Sequence, residues 1–106
     1  MDIDATVYCP MYDINDKKYI KLTLSDSDAS IVRAIHDKYT VEHDPLDGRV
    51  LQVKIPWRYR RVMCDMVGDK IPQELSTGDL VFAKIQFEGR WSCGSYRGLT
   101  WKLLSI

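Results

Sequence analysis

The chain has few cysteines and no long apolar run. No apolar stretch approaches the ~20 residues that a membrane-spanning helix needs. Met1 is followed by Asp2 and Asp4 rather than by a basic and then an apolar segment, so no secretory signal is predicted. The three cysteines are Cys9, Cys64 and Cys93, which are odd in number and form no Cys-x-x-Cys pair. A disulfide framework or zinc site is therefore not expected, and a reducing compartment, cytoplasmic or nuclear, is predicted.

Motifs of catalysis are also missing, because the chain contains no GxxxxGK[ST], HExxH or GxSxG pattern. His36 lies on a predicted helix beside Asp37, and adjacent helical residues do not face each other, so this pair is no catalytic dyad. His43 lies in a predicted turn beside Asp44, where a histidine is usually solvated. The sequence therefore predicts a protein without enzymatic activity, cofactor or metal.

Excess charge of one sign is absent as well, since 15 acidic residues balance 15 basic ones. The distribution is uneven: residues 1–48 hold ten acidic and five basic residues (−5), and residues 49–106 hold five acidic and ten basic (+5). Chance partition explains this pattern, and so does a basic face on a neutral protein.

Alternating apolar and polar residues predict several short strands. Thr6–Pro10 and Lys18–Leu24 form a predicted hairpin around Asn15-Asp16. Further strands are predicted at Arg49–Ile55, Leu80–Phe87 and Leu99–Ile106, with a polar, glycine-bearing connection over Glu88–Gly98 between the last two.

One helix is predicted after Ser25, whose side chain can cap it, with Ile31, Val32, Ile35 and Tyr39 at helical spacing. Five or more strands and one helix predict a mainly β domain over residues 1–106, a small OB-like antiparallel β-barrel. The helix follows the first hairpin, whereas a minimal OB-fold has it after the third strand.

The segment Trp57-Arg58-Tyr59-Arg60-Arg61 alternates aromatic rings with guanidinium groups. Arginine binds phosphate oxygens in a forked geometry, and an aromatic ring stacks on an unpaired base for about 1–3 kcal/mol. The segment therefore predicts contact with single-stranded nucleic acid. The alternative is a strand end whose rings enter the core while its arginines face solvent.

The second half repeats this pairing of rings with cations in Arg90-Trp91, Tyr96-Arg97 and Trp101-Lys102. Lys84 shares a predicted strand face with Phe82 and extends the expected platform. Trp101 is predicted to be core, because Leu99 and Leu103 share its face. Trp91 and Tyr96 lie near a predicted loop and are expected to contact the ligand.

The segment Gly78–Phe87, the following Gly/Tyr-bearing connection and Gly98–Ile106 resemble the closing hairpin of OB-fold single-stranded-DNA-binding proteins of bacteriophages and other DNA viruses. The resemblance covers the last quarter of the chain. The resemblance implies a binding groove across the barrel, with contacts at Lys84, Trp91, Tyr96, Arg97 and Trp101. If the source is viral, the protein would act in the host cell.

These observations predict a non-enzymatic protein of replication, recombination or repair that binds single-stranded nucleic acid, with DNA favoured. The predicted binding residues are Trp57, Arg58, Tyr59, Arg60, Arg61, Lys84, Arg90, Trp91, Tyr96 and Arg97. They are expected to meet in one solvent-accessible trough. The alternative is a protein-interaction module or small subunit of a larger assembly, because Trp, Tyr and Arg are also enriched at interface hot spots. A protein partner or homo-oligomer is compatible with either hypothesis.

Overall fold

A computed structural model describes residues 1–106 as a mainly β fold with one α-helix. The elements are β1 (Asp2–Ile14), β2 (Lys17–Leu24), α1 (Asp26–His36), β3 (Leu46–Asp47), β4 (Val50–Ile55), β5 (Trp57–Arg58), β6 (Arg61–Val62), a 3-10 turn (Pro72–Glu74), β7 (Leu80–Cys93) and β8 (Tyr96–Ser105). None of the helices has the length and apolar content needed to cross a membrane.

Five strands pair into a ring in the order β1, β2, β4, β8, β7 and back to β1. Every pairing in the ring is antiparallel except that of β4 with β8, which is parallel and pairs Lys54 with Lys102. Because this contact is short, the ring is not evenly closed. The predicted mainly β, small barrel-like fold is confirmed.

The last hairpin differs from its prediction, because the segment expected to be a connection is strand. β7 continues to Cys93 and β8 begins at Tyr96, so only Gly94 and Ser95 form the turn. Gly89 has a φ of 97° and lies at a register shift in β7. Beyond that bulge the hairpin has no core face, since Arg90–Cys93 are all exposed, and the polar residues and glycines of this segment predicted a connection instead.

The core consists of 19 buried residues and has the predicted strand faces. These faces supply Ile20, Leu22 and Leu24 from β2, Leu51, Val53 and Ile55 from β4, and Ala83 and Ile85 from β7. Trp101 is 2% exposed, which confirms its prediction as a core residue. Burial of such side chains stabilises the fold by about 25 cal/mol per Å² of apolar surface.

Helix α1 begins as predicted, with the Ser25 hydroxyl accepting a hydrogen bond from the backbone N–H of Asp28 at 3.2 Å. Ala29 and Val32 face the core, while Ile31, expected in the apolar stripe, is 51% exposed. The helix therefore buries a narrow stripe, and a polar contact supplements it.

That contact is made by His36, which is 3% exposed. The Trp101 indole N–H donates to His36 Nε2 at 2.9 Å, so His36 Nδ1 carries the proton and donates to Asp44 Oδ1 at 2.8 Å. The Asp44 carboxylate also accepts from the Arg33 guanidinium at 2.6 Å and from the Leu46 backbone N–H at 2.9 Å. His36 thus has an acidic partner, Asp44, which sequence adjacency did not reveal.

Both titratable groups of this contact have altered acidity. Burial lowers the pKa of His36, although hydrogen bonding to Asp44 opposes this shift. Burial raises the pKa of Asp44, but the hydrogen bonds from Leu46, Arg33 and His36 outweigh burial and lower it overall. The contact therefore favours a neutral imidazole beside an ionised carboxylate.

We expect the free energy of unfolding to fall as pH drops below about 6.5, the ordinary histidine pKa, because the unfolded chain then binds a proton that folded His36 resists. The loss from one group is at most about 1.4 kcal/mol per pH unit. Urea unfolding at pH 7.5 and 5.5 measures it. His36→Gln, which can keep both hydrogen bonds, should remove most of this pH dependence, while His43→Gln should retain it. If the free energy of unfolding fell equally between the two pH values in all three proteins, the assignment to His36 would be contradicted.

Candidate nucleic-acid interface

The arginine hairpin, residues 57–62, follows the end of β4. Trp57 pairs with Val62 and Arg58 with Arg61, leaving Tyr59 and Arg60 as the turn. Arg58, Arg60 and Arg61 are exposed, and Tyr59 is 81% exposed. The hairpin therefore presents three cations and one free aromatic ring to solvent.

The turn of this hairpin is strained. Tyr59 and Arg60 have φ values of 55° and 62°, as in a type I′ turn, which normally uses Asn and Gly. The turn between β1 and β2 has similar angles, 51° and 66°, but at Asn15 and Asp16, which tolerate them better. Strained residues of this kind cluster at functional sites, so the tip residues are candidates for a role other than stability.

Trp57 is less available than Tyr59. Its indole packs against the core, and the Lys18 ammonium lies 4.9 Å from the ring centroid. Lys18 in turn forms an ion pair with Asp13 at 2.6 Å. Trp57 therefore fits in part the alternative that the rings of this segment enter the core, and Tyr59 does not fit it.

The far end of the β7–β8 hairpin carries an aromatic cluster of His43, Trp91 and Tyr96. The rings of His43 and Trp91 stack with centroids 5.8 Å apart, and Tyr96 lies 5.4 Å from His43. Trp91 is 39% exposed and Tyr96 59%. The Trp91 ring covers Gly98, its cross-strand neighbour, and a methyl group there would overlap the indole.

The cations of this end differ in availability. Arg97 forms an ion pair with Glu42 at 3.0 Å, and its backbone N–H donates to the same carboxylate at 2.9 Å. Hydrogen bonds from the Arg97 side chain and from the backbone lower the pKa of Glu42 to about 2. Arg90 is exposed and has no ion-pair partner within 4.0 Å. Arg90 is therefore the freer cation of the two.

The structure places most of the predicted binding residues in two groups. Because β4 and β8 run parallel with Lys54 opposite Lys102, Trp57 lies three residues beyond this pair and Arg97 five residues before it. At about 3.3 Å per residue, the two groups are roughly 26 Å apart along the strands. Lys84 belongs to neither group, since it lies on the outer face of β7 opposite Asp2.

Between the two ends lies a face that the sequence did not reveal. A cross-strand row places Tyr12 on β1 beside Tyr19 on β2, Tyr19 beside Lys54 on β4, and Lys54 beside Lys102 on β8. We call these four residues, with Lys21, the tyrosine–lysine face. They are all half-buried.

The rings of this face are held in place by their neighbours. Tyr12 and Tyr19 have centroids 6.0 Å apart, and the Lys21 ammonium lies 5.9 Å from the Tyr12 centroid. The Tyr12 hydroxyl donates to Gln52 Oε1 at 2.7 Å. These contacts fix an aromatic pair next to three lysines.

Electrostatically the face combines neutral phenols with cations. Burial, followed by Cys9 and Tyr19, raises the pKa of Tyr12 to about 12, and burial also raises the pKa of Tyr19. No carboxylate belongs to the row; Asp13, which follows Tyr12, is paired with Lys18 at 2.6 Å, and Asp44 and Asp47 line a cavity of about 200 Å³ with Lys21. The positive end of the face is therefore the Lys54–Lys102 end.

No group of three or more His, Cys, Asp or Glu side chains is placed to hold a metal ion. The two histidines have other contacts, since His36 bonds with Trp101 and Asp44 while His43 stacks on Trp91.

Replacing the strained turn by the residues that its geometry favours, Tyr59→Asn with Arg60→Gly, should raise the free energy of unfolding by about 1 kcal/mol. If the tip binds ligand, the same double variant should bind oligonucleotide more weakly. Urea unfolding and anisotropy titration measure the two effects. Greater stability with unchanged affinity would exclude the tip from the interface.

Gly98→Ala should displace the Trp91 indole from Gly98 and His43, because a methyl group would occupy the ring's position. A red shift of tryptophan emission reports the displacement. Trp91→Phe supplies the matched control, since its emission comes only from the other two tryptophans. An unshifted spectrum in Gly98→Ala would contradict the packing.

Comparisons with known proteins do not add to this geometry. No family profile, curated protein or solved structure matches the chain at a significant level. The case for function rests on the arrangement of this chain's own residues.

Proposed function

We propose that this protein binds single-stranded nucleic acid, without catalysing a reaction, along the tyrosine–lysine face between its two hairpins. The observation that carries the proposal is the continuous row of Tyr12, Tyr19, Lys54 and Lys102 across four strands. Hairpins with exposed aromatic and arginine side chains lie beyond the row at opposite ends of the β4–β8 pair.

Such a surface supplies what an unpaired strand requires. Aromatic rings contribute about 1–3 kcal/mol per stacked base, and lysine or arginine contacts to phosphates release bound counterions. The roughly 26 Å between the hairpins suits a strand of a few nucleotides, the low end of the range of about 4–16 per OB-fold. Neither stacking nor phosphate contact reads sequence, so binding is expected to be non-specific.

The strand arrangement supports the same location. In OB-folds the face of the second and third strands binds oligonucleotides, and the second and third strands of the ring here are β2 and β4. After the third strand, where a minimal OB-fold has its helix, this chain has the arginine hairpin. The departure from the OB pattern thus places exposed cations close to the proposed binding face.

The proposed contacts combine residues from sequence and structure. From the sequence they are Trp57, Arg58, Tyr59, Arg60, Arg61, Arg90, Trp91, Tyr96 and Arg97, and from the structure Tyr12, Tyr19, Lys21, Lys54 and Lys102. Lys84 is left out because it lies on the outer face of β7 beside Phe82. The resemblance to viral single-stranded-DNA-binding proteins favours DNA and a role in replication, recombination or repair.

A second candidate function is protein binding, which one observation favours. Leu80 and Phe82, both on β7, are 85% and 61% exposed. Neighbouring exposed apolar side chains mark surfaces that a protein partner covers, because their burial removes apolar area from water. This surface is separate from the tyrosine–lysine face, so the two functions are compatible.

Fluorescence anisotropy with labelled oligothymidylate tests the proposal. We expect a Kd of about 1 µM or lower at low salt, a free energy near −8 kcal/mol, weakening several-fold as salt rises. Lys54→Ala with Lys102→Ala should reduce the slope of log K against log salt by about 1.4, since each single-strand phosphate contact contributes about 0.7. Lys38→Ala with Lys70→Ala, two exposed lysines outside the face, should leave the slope unchanged.

A second substitution set separates the two candidate functions. Trp57→Ala with Arg58→Ala and Arg60→Ala should abolish oligonucleotide binding while circular dichroism shows a folded protein. If binding at low salt is absent in the unaltered protein, or equal in all variants, the nucleic-acid proposal is wrong.

A further inference from the structure

The outer surface of the β1–β7 pair is unusual for a solvated sheet. Leu80 and Phe82 are large apolar side chains that point outward from β7, and they are 85% and 61% exposed. They line a groove of about 640 Å³ whose walls include Leu24, Val81 and Arg49. A single exposed leucine needs no explanation, but two neighbouring large apolar side chains beside a groove indicate a surface that a partner covers.

The strand register gives this surface a particular charge pattern. Three cross-strand pairs form it, Asp2 with Lys84, Asp4 with Phe82, and Thr6 with Leu80, and we call these six residues the β1–β7 face. Asp2 and Lys84 lie opposite each other, but neither has an ion-pair partner within 4.0 Å. The face thus carries charges of opposite sign, Asp2 and Lys84, at one end, and the apolar side chains of Phe82 and Leu80 follow along β7.

This pattern is complementary to itself. Consider a two-fold axis that runs parallel to the strands, in front of the face and midway between β1 and β7. This axis places β1 of a second copy over β7 of the first, with equivalent residues at the same level along the strands. Asp2 of each copy then faces Lys84 of the other, and the two Phe82 rings meet near the axis. Asp4 faces the edge of the second copy's Phe82, which carries the positive part of the ring quadrupole.

We infer that the protein forms a two-fold homodimer through the β1–β7 face. The six residues form a small patch, below the roughly 800 Å² per partner of a standard interface, so the dimer is weak, with a Kd in the range of about 1–100 µM. The occupant is a second copy, because the two-fold arrangement gives Asp2 and Lys84 of each chain a partner of opposite sign. This inference does not depend on nucleic-acid binding.

Sedimentation velocity of the tag-free protein over a concentration series tests the dimer. We expect a monomer–dimer equilibrium that Phe82→Ser weakens by about tenfold or more, since a buried aromatic contact at the centre of an interface dominates its energy. Val67→Ser is the matched control: Val67 is 74% exposed but lies outside the face, so the equilibrium should not change.

Charge exchange tests the proposed pairing itself. Asp2→Lys and Lys84→Asp should each weaken self-association, because two like-charge pairs then face each other. An equimolar mixture of the two variants should restore it, since both pairs of a mixed dimer are again of opposite sign. Glu88→Lys, a charge reversal on β7 beyond the β1 pairing, should have no effect.

Three results would overturn the inference. A monomer at all concentrations removes the dimer. A dimer insensitive to Phe82→Ser forms through another surface. A dimer that the charge variants weaken, but their mixture does not restore, lacks the proposed two-fold pairing. Circular dichroism of each variant excludes unfolding as the cause.

Discussion

The parallel contact between β4 and β8 determines where the candidate interface lies. It joins the β1–β2–β4 meander to the β7–β8 hairpin and so completes the ring. By placing Lys54 beside Lys102, it extends the tyrosine pair of β1 and β2 into a basic row across four strands. It also directs the arginine hairpin and the aromatic cluster to opposite ends of one surface. One backbone pairing, between strands that are far apart in sequence, therefore determines which residues form the face and how long it is.

The structure places its less favourable features on the surface rather than in the core. The core is apolar, and its buried histidine has both ring nitrogens hydrogen-bonded. By contrast, the Tyr59–Arg60 turn has positive φ angles, and Leu80 is exposed. None of these surface features improves the stability of an isolated chain. Their occurrence at two separate places is the physical reason for proposing two binding surfaces on this chain.

Local features of the fold followed from the sequence, and non-local ones did not. Alternation in β2 and β4 identified their buried faces, and Ser25 identified the helix start, because each depends on neighbours within a few residues. The Tyr12–Tyr19 pair was missed, because two bulges in β1 change the register before Tyr12. The His36–Asp44 bond was missed because it depends on the path of the loop after α1. The position of the two hairpins at opposite ends of one surface was missed for the same reason, since it depends on the β4–β8 register.

Backbone amide NMR during titration with oligothymidylate tests the central claim most directly. If nucleic acid lies along the tyrosine–lysine face, chemical-shift changes should be continuous over β2, β4 and β8, include Tyr19, Lys54 and Lys102, and reach both hairpins. The amides of Asp2–Thr6 and Leu80–Lys84 should change little. Changes confined to the β1–β7 face, or to one hairpin with β2 and β4 unaffected, would contradict the account.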